Sequence, residues 1–144
     1  MRIVFAKNSG FCFGVRSAVE TAYKNAGENT YTYGDIIHNE IVLKKLADAG
    51  VKSVENVDEI TSENATVIIR SHGAKKSVYD QIKNKNFTLI DATCPFVKKI
   101  HAIVQKHYDD GFRIIIIGNE RHPEVVGING WCDDSATIVD EEFD

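Results

Sequence analysis

Six side chains in this sequence carry the means for chemistry: Cys12, Cys94, His38, His72, His122 and Glu124. Cys12 lies between Gly10 and Gly14, in a loop flexible enough to bring backbone and sulfur close to a cofactor. Cys94 precedes Pro95 and a helical pattern, where the positive end of the helix dipole favours the thiolate. Either cysteine could equally be a small buried apolar residue. With no C-x-x-C pair, a zinc ribbon is excluded. Thiolates gathered from distant loops could instead hold an iron–sulfur cluster or a mixed zinc site. The three histidines could bind a phosphate together with backbone N–H groups at helix starts, or each could cap its own turn. Glu124 either caps the short helix after Pro123 or donates a proton in a cleft. Cys132 is different, because Asp133 and Asp134 follow it and disfavour a thiolate; it reads as structural. His101 and His107 fall within a long helical pattern and read as packing or surface residues.

The elements that must position these residues alternate between strand and helix. Strands are predicted at 2–6, 30–33, 66–70, 88–90, 113–117 and 137–139. The isoleucine run at 114–117 suits a strand buried on both faces. Helices are predicted at 15–25, 39–49, 75–83 and 96–108. In the second, Ile41, Val42, Leu46 and Ala49 recur at helical spacing, and Gly50 is placed to end it. In the last, Val97, Ile100 and Val104 form the apolar stripe, with Pro95 suited to the first turn. This alternation predicts an α/β fold with mainly parallel sheets. The first five strands are each followed by a loop carrying a cysteine or a histidine: 10–14, 34–39, 71–73, 91–95 and 118–124. Ligands in open α/β sheets bind outside the carboxyl ends of the strands. Five such loops in succession therefore predict one shared site.

Composition narrows the class further. With 144 residues, 43% of them hydrophobic, the chain can bury the core of one domain or of two small ones. A charged fraction of 26% argues against disorder. Seventeen basic and 21 acidic residues leave a net charge of −4, and no Lys/Arg run is present, which argues against a nucleic-acid surface. An anionic ligand must therefore be met by local positive groups. No apolar stretch approaches the ~20 residues of a membrane span, and residues 1–6 are too short for a signal-peptide core. The expectation is a cytoplasmic protein. Three widely spaced cysteines then favour ligands or plain thiols over a disulfide framework.

The stretches Gly10-Phe11-Cys12-Phe13-Gly14-Val15, Ile37-His38-Asn39, Ser71-His72-Gly73, Asp91-Ala92-Thr93-Cys94-Pro95 and His122-Pro123-Glu124-Val125 carry a resemblance. In this order they resemble the 4-hydroxy-3-methylbut-2-enyl diphosphate reductases, the LytB/IspH family, and the likeness runs to about Trp131. The resemblance implies an iron–sulfur oxidoreductase of non-mevalonate isoprenoid synthesis. Such enzymes remove the C4 hydroxyl of their allylic diphosphate substrate in two one-electron steps, giving isopentenyl and dimethylallyl diphosphate. It implies Cys12 and Cys94 as two of three thiolate ligands to a [4Fe–4S] cluster, one per full-length chain, whose fourth iron can bind the substrate oxygen. It further implies His38, His72 and His122 in the diphosphate pocket. Glu124 would be the catalytic acid, with His122 in the same proton relay. The electron donor would be a protein such as ferredoxin or flavodoxin.

The family fold has three similar α/β lobes around a central cleft. By resemblance, residues 14–93 form one lobe, carrying His38 and His72. Residues 1–13 with 94–144 form a second, discontinuous lobe, carrying Cys12, Cys94, His122 and Glu124. The third lobe, with the third cysteine ligand and a Ser/Asn-rich part of the pocket, has no counterpart in this sequence. Cys132 does not match that ligand. The sequence finishes Val139-Asp140-Glu141-Glu142-Phe143-Asp144, acidic and without a terminal helix pattern. The expectation is an incomplete piece of the enzyme, inactive alone, with its cluster lost or incomplete. The alternative is a fragment that holds diphosphate or metal without turnover. A hydrolase using Cys94 would need a Gly/Arg phosphate cradle, and Pro95-Phe96-Val97-Lys98-Lys99 does not provide one.

Overall fold

Residues 67–69 decide the architecture, because they are apolar on both sides of a strand. In the computed structural model of the chain, which describes residues 2–7 and 9–140, β3 (Thr66–Ile69) is one of the two inner strands of a four-stranded sheet. Val67 and Ile69 enter one apolar core and Ile68 the other. The first core is closed by Val78, Tyr79 and Ile82 of α3 (Lys76–Asn84), and by Val57 in a single 3-10 turn at Val57–Glu59. The second is closed by Ala18 and Ala22 of α1 (Phe13–Lys24) and Leu46 of α2 (Glu40–Asp48). The result is three layers, helix on sheet on helix.

The other strands are β1 (Thr30–Tyr33), β2 (Val51–Val54) and β4 (Thr88–Asp91). All pairings are parallel, in the order β2-β1-β3-β4. The register aligns Val54, Tyr33, Ile69 and Asp91, so all four strands end along one edge. The chain passes from β1 outward to β2, then crosses back to β3. A switch point therefore lies between β1 and β3, where open α/β sheets leave a crevice for ligand. The predicted α/β class holds, and Asn39 caps α2 by accepting the Val42 N–H at 3.1 Å.

A smaller unit follows. α4 (Pro95–Asp109) leads to β5 (Ile115–Ile117), then α5 (Pro123–Asn129) and β6 (Thr137–Val139), with β5 and β6 paired in parallel. Trp131 joins this unit to the first: its ring lies 5.6 Å from that of Tyr79, and its indole N–H donates to the Ala74 carbonyl at 3.0 Å.

Three expectations are corrected. Ile116 is 9% exposed, but Ile115 and Ile117 are 67% and 72% exposed, so the isoleucine run is buried on one face only. No layer among the described residues covers the other. Residues 2–6 form no strand; no described strand pairs with them, and extended backbone gains its hydrogen bonds only from a partner. Ile3, Val4 and Phe5 are accordingly exposed. The third correction is β2, which was not foreseen. Of the acidic end, residues 141–144 lie outside the described residues.

Candidate functional site

The loops leaving β1 and β3 straddle the switch point, and they carry His38 and His72. The two rings lie 6.1 Å apart between centroids, tilted by 32°. His122, entering from the smaller unit as the N-cap of α5, stands edge-on to His72, again 6.1 Å between centroids. The three predicted histidines are therefore brought into one row, with His72 at its centre. His122 Nδ1 accepts the N–H of Glu124 at 3.2 Å. The capping role and the ligand role are thus compatible: the cap occupies Nδ1 and fixes the proton on Nε2. The same contact sets Glu124 one turn-start away from the row.

His72 has its pKa lowered, chiefly by burial and then by the Arg70 guanidinium, with Glu124 opposing. Its neutral form therefore dominates at neutral pH, as a hydrogen-bond donor rather than an ion. Its Nδ1 is buried without a partner, as is the hydroxyl of Ser71. The buried, unsatisfied side-chain nitrogens and oxygens among the described residues are Arg70 Nε, Ser71 Oγ, His72 Nδ1 and His101 Nε2. Three sit on the β3–α3 loop, and His101 packs on the fourth residue of that loop: a Cβ on Gly73, whose φ is +74°, would lie 2.5 Å from the imidazole. Buried polar groups are normally satisfied. Their concentration on one loop leaves that loop with polar atoms able to meet a bound molecule or water.

Cys94 follows the end of β4, and its backbone N–H donates to the Ser71 carbonyl at 2.9 Å, which ties the cysteine loop to the histidine loop. Behind it, the Tyr79 hydroxyl lies 3.1 Å from that of Thr93, and Asp91 accepts the Thr93 N–H at 3.0 Å. Burial pushes the Tyr79 phenol up to about 12, so it keeps its proton. Cys12 and Cys94 are the N-caps of α1 and α4, and neither makes a side-chain cap hydrogen bond. Both are free thiols. A Cβ on Gly14 would lie 2.8 Å from Cys94 Sγ, so the first turn of α1, just after Cys12, rests directly on that sulfur. Among the described residues no three His, Cys, Asp or Glu side chains come together as a metal cage.

Cys132 lies apart from these groups. It is fully buried, its S–H donates to the Asn129 carbonyl, and burial raises its pKa; all three features suit a structural thiol. His101 is 3% exposed, stacked on Trp131 at 5.0 Å, and burial pushes it down to about 4. His107 meets Phe112 edge-on. Reading the sequence missed Arg70. Its one signal there was a cation placed directly between a buried strand and Ser71-His72-Gly73.

A sequence model of the family described as LytB protein matches residues 3–143. A 4-hydroxy-3-methylbut-2-enyl diphosphate reductase of Thermoanaerobacter sp. (strain X514) is 49% identical over 96% of this chain and 50% of its own length. One from Alkaliphilus oremlandii (strain OhILAs) is 47% identical over 100% of this chain and 52% of its own. The solved reductase structure from Plasmodium falciparum superimposes with a TM-score of 0.84 at 34% identity, over 92% of this chain and 42% of that one. A second solved reductase, described as the terminal enzyme of the non-mevalonate pathway, gives a TM-score of 0.78 at 34% identity, over 98% and 51%. The chain spans about half the length of the curated relatives it matches.

Proposed function

This chain belongs to the LytB protein family, and we propose that its protein is a 4-hydroxy-3-methylbut-2-enyl diphosphate reductase. The observation that carries this reading is the histidine row at the switch point, tied through Ser71 to the loop of Cys94. The reaction takes up two electrons and two protons. It breaks the C4–O bond, forms one C–H bond on the allylic carbons and releases water, giving isopentenyl or dimethylallyl diphosphate.

His38, His72 and His122 hold the diphosphate. A row of donors spaced by 6.1 Å can reach successive phosphate oxygens, and neutral His72 donates without needing a counter-ion. Glu124 delivers protons to the departing oxygen and to the allylic carbons. Its place beside His122 lets the imidazole share that relay.

Cys12 and Cys94 are two of the ligands to a [4Fe–4S] cluster. The residues present fit part of such a set: two free thiols at helix N-caps, the soft ligand type that iron–sulfur clusters take. When bound, the cluster supplies single electrons and a Lewis-acidic iron. The remaining ligand and the rest of the pocket come from the other half of the length seen in relatives. In this reading residues 14–93 form one lobe and residues 1–13 with 94–144 a second. The electron donor is a protein such as ferredoxin or flavodoxin, and the protein works in the cytoplasm. No helix among the described residues is long and apolar enough to cross a membrane.

The test is anaerobic iron and sulfide analysis with a reduced-dye assay on the full-length protein. We expect about four irons and four sulfides per chain, lost in Cys12→Ser and Cys94→Ser. Replacing His38 or His72 by Asn should keep the iron and raise KM, because those contacts bind ground state and transition state alike. A full-length protein without iron, or one inert towards the diphosphate, refutes the proposal.

A further inference from the structure

We propose that the cleft between the β3–α3 loop and the start of α5 is a second anion site, built for a small phosphate-bearing molecule and separate from the histidine row. The cleft encloses about 330 Å³ and is lined by Tyr33, Arg70, Lys75 and Arg121, with Glu55 at the same opening and Val126 among its apolar walls. Three cations converge there in a chain whose net charge is −4, so the local positive charge is not a reflection of the whole surface.

Arg70 stands at the centre of the cleft's positive charge. It is half-buried, with its guanidinium against Gly34, and its Nε is buried without a hydrogen-bond partner. Glu55 borders the cleft, but none of the ion pairs among the described residues involves Glu55, Arg70 or Arg121. A buried guanidinium nitrogen left without a partner is costly unless a ligand completes it, and the planar fork matches an oxyanion in a bidentate way. Lys75 is already joined to Asp134 at 2.8 Å, so Arg70 and Arg121 carry the site and Lys75 flanks it. Tyr33 adds a neutral donor, since burial raises its pKa although Arg70 works against the rise. The volume falls at the lower end of small-molecule sites, roughly 300–1,000 Å³. It suits a phosphate or diphosphate group with a short body.

Arg70 stands two residues before His72 and Arg121 one before His122. A ligand here bridges the two loops that carry those histidines. The inference rests on this cleft alone and is independent of the reaction assigned above.

Isothermal titration of inorganic pyrophosphate into the full-length protein, at fixed ionic strength, tests it. Two classes of site are expected. The class assigned here survives the double replacement His38→Asn/His122→Asn. It weakens at least tenfold in Arg70→Met and in Arg121→Met, and less in Arg70→Lys, which keeps the charge but loses the fork. Arg121 is exposed, so its replacement leaves the fold intact, as thermal unfolding will verify. The site is overturned if all pyrophosphate binding vanishes with the histidine pair, or if Arg121→Met binds within twofold of the parent.

Discussion

His122 accepts the Glu124 N–H on Nδ1, so its remaining proton sits on Nε2 and can face a ligand. That contact also means that changing Glu124 need not disturb the histidine, because the donor is backbone. Glu124→Gln in the full-length protein should therefore keep iron and sulfide unchanged while slowing turnover by about 10²–10⁴, the usual contribution of a positioned acid. Wild-type turnover in that variant would reduce Glu124 to part of a helix start. His101 gives a second prediction. Its ordinary pKa of 6.5 is pushed down to about 4 by burial, so between those values the unfolded chain binds a proton that the native chain does not. Stability should then fall as pH drops through that window and level off below it, with no contribution above it. His72, lowered for the same reason, acts in the same direction. The slope from one group is at most about 1.4 kcal/mol per pH unit. Urea unfolding of the parent and of His101→Phe, at several pH values, should show a flatter profile in the variant; identical profiles would exclude His101 as the source.

Among the elements, the β3–α3 loop governs the site, and its tightest constraint is Gly73. A side chain there must adopt φ near +74° and push its Cβ to 2.5 Å from a buried imidazole. Gly73→Ala should cost about 2 kcal/mol, within the usual range for a single substitution and with the sign expected for Ala at positive φ. It should also raise KM by displacing His72. Chemical denaturation and substrate kinetics read the two effects separately, and a variant as stable as the parent would contradict the packing. Gly14 makes a parallel case, since a Cβ there would meet Cys94 Sγ at 2.8 Å; Gly14→Ala should lower iron content in the full-length protein. Most of these elements were legible in the sequence because β1, β3, β4 and β5 each end in a distinctive loop. Thr30–Tyr33 and Thr137–Val139 were foreseen to the residue. Val51–Val54 was not, because only its two ends are buried; its strand character comes from pairing with β1, which no local pattern encodes. Residues 2–6 erred the other way. Their local pattern suits a strand, but with no strand paired to it, it forms none. The histidine row was legible because His38, His72 and His122 each follow a strand, β1, β3 and β5, whereas the cleft around Arg70 was not, since Arg70 and Arg121 lie far apart in sequence and meet only in the fold.

At the scale of the whole molecule, the apolar surface is unevenly placed. Ile3, Val4, Phe5, Phe13, Phe96, Ile115 and Ile117 are exposed, clustered in sequence around the N-terminal segment, the cysteine-bearing helix starts and the two-stranded sheet. Exposed apolar area on this scale marks a surface that another body covers. These 144 residues span about half the length of their relatives, and they bring two free N-cap thiols but no three-ligand cage among the described residues. The last prediction combines these facts: the 144 residues alone fold but do not turn over substrate. Folding follows from the two apolar cores on either side of β3, which are complete within this sequence. Turnover fails because a cluster held by two thiolates lacks an anchor, and ligation together with solvent exclusion governs its chemistry. A diphosphate at the histidine row would also face water, which screens the charges that hold it. Anaerobic reconstitution with iron and sulfide, followed by the reduced-dye assay, should give no measurable turnover, and sedimentation should find self-association that falls when Ile115 and Ile117 are replaced by Thr. Turnover near the full-length rate would overturn this, and would require Cys132 or a second chain to supply the missing ligand.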